Sequence, residues 1–373
     1  MDLLARIAPL ALVFACTVPA AAAPANRPAA RARRVDLVLA LDTSSSMNGL
    51  IDAARQKMWD MVTLLEKAQP RPELRVGLIS YGNSGYDHAS GWVRTDIDLT
   101  NDLDAVYGRL FGLTTGGGEE YVARAVQVAT RSMTWSPDQD ALRIVFVAGN
   151  ESADQDPQVR LEEALAAARG RGIYVNAVYC GPSGAGDAAG WALVAKLGQG
   201  RFAAIDHNHT VAIAAPQDDE LRRLSEALNH TYVAYGSAGT ARQANQAAQD
   251  KNAAATSAPA AAARAVGKAS GLYNAEAWDL VDATRNKKRD LATMDARELP
   301  QELAALPAPK RAEYVEEKAK ARAELQGRIH ALSGDRERYL AAERRKAKPA
   351  AASMDEALLG GIKQEAEAAG FSF

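Results

Sequence analysis

The residues best suited to chemistry in this 373-residue chain are Asp42-Thr43-Ser44-Ser45-Ser46, a D-x-S-x-S pattern directly after an apolar run at 35–41. Residues two apart in an extended segment point to the same side, so the Ser44 and Ser46 hydroxyls can converge while Asp42 supplies charge. Such an oxygen set suits a hard divalent cation, Mg2+ above all, which takes octahedral geometry and keeps several waters. With so few protein anions around it, the metal stays electrophilic and leaves a position open for an incoming carboxylate. That is binding chemistry, since nothing beside the motif can act as a general base. The competing reading, without metal, is that Ser44 or Ser46 caps the helix that follows.

The elements that must position this motif alternate in type. Residues 35–41 read as a strand buried on both faces. Residues 50–67 place Ile51, Ala54, Met58, Met61, Val62 and Leu65 at helical spacing. Further strands are expected at 75–81, 142–148, 173–179 and 201–205, with an edge-like strand at 92–97. Helices are expected from Thr100-Asn101-Asp102 to near Leu113, over 121–133, over 157–169, between the last two strands, and over 216–228. The alternation predicts an α/β fold with a doubly wound, mainly parallel sheet covered on both faces. In such sheets ligands bind beyond the carboxyl ends of the strands. The loops after Leu41, Leu113 and Ala148 are therefore the places to look.

The strand, the D-x-S-x-S motif and the following helix resemble the von Willebrand factor A (vWA) domain, Rossmann-like in fold, with its metal-ion-dependent adhesion site. The resemblance covers about 35–235. It implies a second ligand loop, which here reads Leu113-Thr114-Thr115-Gly116-Gly117-Gly118-Glu119-Glu120. Thr115 and Glu119 are its candidates, with Thr114 and Glu120 as neighbours. It implies a third loop at Val147-Ala148-Gly149-Asn150-Glu151, where Asn150 stands in place of the family's aspartate and Glu151 could supply the missing charge. The implied metal set is Asp42, Ser44, Ser46, Thr115, Glu119 and Asn150, holding Mg2+ or else Mn2+ or Ca2+. The implied partner is a protein offering an acidic side chain. The glycine run is not a phosphate cradle, because no Gly-Lys-Ser/Thr follows it.

Elsewhere, 44 Lys+Arg against 46 Asp+Glu give a net charge of −2, which argues against nucleic acid as a partner. Residues 1–23 read as a signal peptide, with Arg6 before an apolar run at 7–18 that is too short to span a bilayer. Export to the periplasm or beyond is expected. Val13-Phe14-Ala15-Cys16 offers a second export reading, a lipid anchor at Cys16. No later segment is apolar enough to cross a membrane. Residues 24–34 read as a spacer, 236–270 as an Ala-rich linker or loosely held helix, and 271–373 as a helical region. That region carries a thin apolar stripe (Leu325, Ile329, Leu332, Leu340) and a capping box at Ser353-Met354-Asp355-Glu356. Phe371 and Phe373 are expected to dock on the body. Cys180 reads as a buried, inert thiol. His207-Asn208-His209 lacks a third ligand, and Gly82-Asn83-Ser84-Gly85 has the wrong spacing for a nucleophile elbow.

The expected function is a non-enzymatic, metal-dependent protein-binding module at the cell envelope. One alternative is a scaffold with a degenerate metal site whose helical region binds the partner. The other is a metal-assisted hydrolase, which would need His88 or His207 at the site.

Overall fold

The computed structural model describes residues 33–205, 213–346 and 354–373. The signal peptide, Cys16, His207-Asn208-His209 and Ser353 of the capping box lie outside the described residues.

Six strands form one sheet: β1 (Arg34–Asp42), β2 (Glu73–Tyr81), β3 (Val93–Thr100), β4 (Leu142–Gly149), β5 (Ile173–Tyr179) and β6 (Gln199–Ala204). Their spatial order is β3-β2-β1-β4-β5-β6. All pairs are parallel except β3, which closes one edge antiparallel to β2. β1 runs through the centre and is buried from Val35 onward, which is why it reads as a continuous apolar run. Its side chains still alternate: Leu37, Leu39 and Leu41 enter one core, Val38 and Ala40 the other. Asp36 is the polar exception, held by Arg75 at 2.8 and 2.6 Å.

The helices α1 (Asn48–Glu66), α2 (Leu103–Phe111) and α6 (Asp218–Asn229) share the first core. The second core takes α3 (Val122–Ser132), α4 (Leu161–Gly170) and α5 (Ala188–Leu197). The expected helix over 157–169 starts later, at Leu161. Asp156 Oδ1 accepts from the amides of Gln158 and Val159 (2.9 and 3.0 Å), holding that stretch as a turn.

The largest correction concerns 236–270, expected as a linker or a loosely held helix. It forms α7 (Gly239–Thr256) and α8 (Ala258–Ala269), and every residue from Ala260 to Ala269 is buried. Alanines dominate α8, so no row of large apolar side chains marks its buried face in the sequence. Small side chains let it come close to α1: a Cβ on Gly267 would lie 2.6 Å from Trp59 Cε3. Arg264 and Lys268, which resemble solvated charges in sequence, are inside.

The chain continues through α9 (Leu280–Arg285), α10 (Gln301–Ala304), the long α11 (Ala308–Lys346) and α12 (Met354–Ala368). All belong to one compact unit with the sheet. On α11, Ile329 and Leu340 are buried as the stripe implied, joined by Arg322, which binds Asp279 and Asp282 at 2.7 and 2.9 Å. α12 lies on the sheet so closely that a Cβ on Gly361 would sit 3.2 Å from Phe146 Cζ. Phe371 docks as expected, but Phe373 stays 39 % exposed. Among the described residues no helix is long and apolar enough to cross a membrane.

Candidate metal centre

β1 delivers Asp42 to the carboxyl edge of the sheet, where it is wholly buried. The chain then turns, and the Ser44 amide donates to Asp42 Oδ1 at 2.7 Å. The turn brings the Ser44 and Ser46 hydroxyls to 3.4 Å, the convergence that their spacing predicts. Neither serine caps α1. Met47 holds the cap position and no side chain bonds the helix's first amides, so the hydroxyls remain available to a ligand.

The second loop is fixed by backbone contacts. The Gly116 amide donates to the Thr43 carbonyl (3.0 Å), and Asn83 Nδ2 donates to the Thr114 carbonyl (2.9 Å). A Cβ on Gly118 would come within 2.8 Å of both the Gly82 carbonyl oxygen and the Ser84 nitrogen. The glycines are there because one backbone lies directly on another. This packing decides which glutamate turns inward. Glu119, the expected candidate, is exposed, whereas Glu120 is buried against Asp42. The Thr115 hydroxyl donates to Asn48 Oδ1 at 3.1 Å.

In the third loop, Asn150 Nδ2 donates to Ser46 Oγ at 3.3 Å. The Glu151 side chain points to solvent, and its carbonyl anchors the loop by accepting from Trp191 Nε1 at 2.7 Å. Asp42, Ser44, Ser46 and Asn150 thus lie together, joined by Glu120. Gly82, with φ of 76°, and Gly149 wall the cluster: added Cβ atoms would lie 2.7 Å from Asp42 Oδ1 and 3.1 Å from Asp42 Oδ2 respectively. Gly82 and Asn83, weighed in the sequence only against a nucleophile elbow, and Gly149, quoted only within the third loop, are not among the expected site residues. A clue was Gly82-Asn83 directly after a strand, at the edge where ligands bind.

Three oxygens here, Asp42 Oδ2, Glu120 Oε2 and Asn150 Oδ1, are buried without a hydrogen-bond partner beyond the proton that the two carboxyls share. Orphaned acceptors cost about 1–3 kcal/mol each. The two carboxyls carry one proton between them, and a cation that displaces it would engage all three oxygens at once, as an anion could not. Among the described residues no group of three or more His, Cys, Asp or Glu could hold a metal, so the donor set depends on hydroxyl and amide oxygens beside two carboxylates. That composition fits a hard ion. Cys180 lies near but is 3 % exposed, and burial, then the Asp42 charge, push its thiol up and keep it unreactive. His88 packs edge-to-face on Trp92 at 4.7 Å, on an exposed turn.

Burial pushes Asp42 up to about 6, against hydrogen bonds from Glu120 and Ser44. Burial, followed by the adjacent Asp42 charge, pushes Glu120 up to about 9. At neutral pH the pair therefore shares one proton. Both folded values lie above the ordinary ones, so these groups favour folding while protonated. Their contribution is complete below about pH 4 and is lost as pH rises through 6 and on toward 9. In EDTA, the protein is expected to lose about 2–4 kcal/mol between pH 5 and 8, after allowance for the water reaching Glu120. Calorimetric melts of the wild type and Glu120→Gln check this, and an equal pH dependence in the two would refute it.

A family model described as von Willebrand factor type A domain matches residues 36–237. No curated protein matched. Among solved structures, the chain is similar to proximal thread matrix protein 1 from the mussel byssus with a zinc-occupied MIDAS motif (14% identity, 46% of this chain and 42% of that one, TM-score 0.35). It is also similar to the pilus adhesin SpaC from Lactobacillus rhamnosus GG in its open conformation (15% identity, 47% and 28% coverage, TM-score 0.36). A von Willebrand factor type A structure from Catenulispora acidiphila matches at 14% identity, 47% and 39% coverage and TM-score 0.36. The match thus spans less than half the length of each of these three structures.

Proposed function

The chain belongs to the von Willebrand factor type A domain family, and from that premise we propose that it is a non-enzymatic, divalent-metal-dependent protein-binding module, exported and acting in adhesion at the cell envelope. The observation that carries this is the buried, under-satisfied oxygens of Asp42, Glu120 and Asn150, gathered with two serine hydroxyls at the strand ends. Asp42, Ser44, Ser46, Glu120 and Asn150 would hold Mg2+ or Mn2+. A bound ion supplies an electrophilic position for a partner's Asp or Glu carboxylate. Asp42 is the fixed anionic anchor, buried and oriented by the Ser44 amide. Glu120 gives up its proton on loading, so uptake of the ion should release protons. Asn150 contributes an oxygen without charge, which keeps the site short of anions and receptive to a carboxylate. The export part of the proposal rests on the apolar run at 7–18 and the small residues after it.

Calorimetric titration with Mg2+ and Mn2+ tests the site. Ser44→Ala should weaken binding by about 10–100-fold. Superimposable titrations of wild type and variant would defeat the proposal.

The scaffold reading keeps one observation in its favour, the neutral Asn150. Deletion of 237–373 is not a clean test of it, because α8 covers Trp59 and α12 covers Phe146, and their loss would open the core.

A further inference from the structure

The loops around the metal centre are unbalanced in charge. Across the described strand-end loops at 43–47, 82–92, 112–121, 150–160 and 180–187, Arg160 is the only lysine or arginine. It is already placed beside Glu162 and Glu163 at 4.0 and 3.9 Å. Arg124, which reaches this end from α3, is fully engaged by Asp156 at 2.9 Å. Against them stand Glu119, Glu151, Asp154 and Asp187, all exposed, none with an ion-pair partner among the described residues. The whole chain is near neutral at −2, so this concentration of unpaired carboxylates is local. At its centre lie the unpartnered oxygens of Asp42, which is wholly buried, and of Glu120, 8 % exposed.

A second feature adjoins the rim. Trp92 stands between His88 and Tyr121 in an edge-to-face row, with ring centroids at 4.7 and 5.5 Å. Its backbone is left-handed (φ 53°), unusual for a bulky residue. The conformation is held by the Gly82 amide donating to the Trp92 carbonyl at 3.1 Å and by the Trp92 amide donating to Asp87 at 3.2 Å. Gly82 also walls Asp42, so the aromatic row is fixed relative to the metal centre. The half-buried rings of Trp92 and Tyr121, with Glu119 close to Tyr121, favour lysine or arginine, which gain from both the ring face and the charge.

We propose that this rim docks a basic stretch of partner polypeptide in which the metal-binding carboxylate is flanked by lysine or arginine. The proposal rests on the metal-dependent reading above and specifies the partner's chemistry. An uncharged or acidic flank would meet unpaired like charges, whereas a basic flank neutralises them and is drawn in faster at low salt.

The test uses three capped pentapeptides: Lys-Lys-Asp-Lys-Lys, Ser-Ser-Asp-Ser-Ser and Lys-Lys-Asn-Lys-Lys. Binding to the full chain is followed by tryptophan fluorescence in MgCl2 and in EDTA. In Mg2+ the basic aspartate peptide should bind about tenfold tighter than the serine one. That advantage should shrink in high salt and in an Asp154→Asn, Asp187→Asn double variant, compared with the wild type at saturating Mg2+. Equal binding of the two aspartate peptides, both lost in EDTA, overturns the basic-flank proposal and leaves the metal reading standing. Equal binding of the Asp and Asn basic peptides, indifferent to EDTA, overturns both. No binding of the basic aspartate peptide at millimolar concentration also overturns the proposal.

Discussion

Arg264→Ala should destabilise the protein by about 3–5 kcal/mol. The guanidinium is 1 % exposed and donates to Asp104 Oδ1 and Asp250 Oδ1, both at 2.6 Å, and to the Gln246 carbonyl at 3.1 Å. It also lies over the Trp59 ring at 4.6 Å. One side chain thus joins α2, α7, α8 and α1. Burial opposes the charge on Asp250, yet Arg264 and then Lys268 outweigh it and hold the carboxyl at about 2. Removing Arg264 leaves Asp104 buried with only the Tyr273 hydroxyl, at 2.5 Å, to satisfy it. The cost is therefore that of a stranded charge more than of a lost attraction. Two consequences separate these accounts. Arg264→Lys should recover little, because an ammonium cannot span two carboxylates as the planar fork does. Arg264→Met combined with Asp104→Asn should recover most of the loss, because no uncompensated charge remains. Denaturant unfolding at pH 7 measures all three, and a loss under about 1 kcal/mol for Arg264→Ala would show that the network is not structural.

The same residues show what the sequence made legible. β1, β4 and β5 stand out because parallel strands covered on both faces must be apolar throughout, and β5 lies at 173–179 as expected. The α7–α8 pair did not stand out for the converse reason. α8 is built mostly of alanine, with no row of large apolar side chains to mark a buried face, and Arg264 and Lys268 look like solvent-facing charges until their buried partners at Asp104 and Asp250 are known. Those partners are 160 and 18 residues away in sequence, beyond any local pattern. The metal centre divides in the same way. Asp42, Ser44 and Ser46 were legible because their geometry is set by two-residue spacing within one turn. The choice of Glu120 over Glu119 was not, since it depends on how Gly116 and Gly118 press against Asn83 and Ser84, residues that follow β2.

Asp42→Asn should abolish the response to Mg2+ and yet raise the stability of the metal-free protein by about 1–3 kcal/mol. In the wild type, burial foremost pushes this carboxyl from 3.8 to about 6, so holding it ionised above that pH opposes folding. The gap corresponds to roughly 3 kcal/mol at pH 8, an upper bound because neighbouring groups relax. An amide at this position keeps an oxygen for the Ser44 amide, now bonded at 2.7 Å, while removing the charge. It also brings a donor toward Glu120, whose Oε2 has no partner, and relieves the repulsion that helps to hold that group at about 9. Metal reverses the ranking. An ion at a hundred times its Kd stabilises the wild type by about 2.7 kcal/mol, whereas the variant has lost its one fully buried anionic ligand and gains nothing. Melting curves should therefore cross: the variant more stable in EDTA, the wild type gaining with each increment of Mg2+ until it overtakes. A variant less stable than wild type in EDTA would mean that Asp42 is there for the fold, and a retained Mg2+ response would mean that the ion sits elsewhere. The strain carried by the metal-free site is what a cation would relieve, so the sign of this one substitution distinguishes a site built to bind from a buried acid that merely persists.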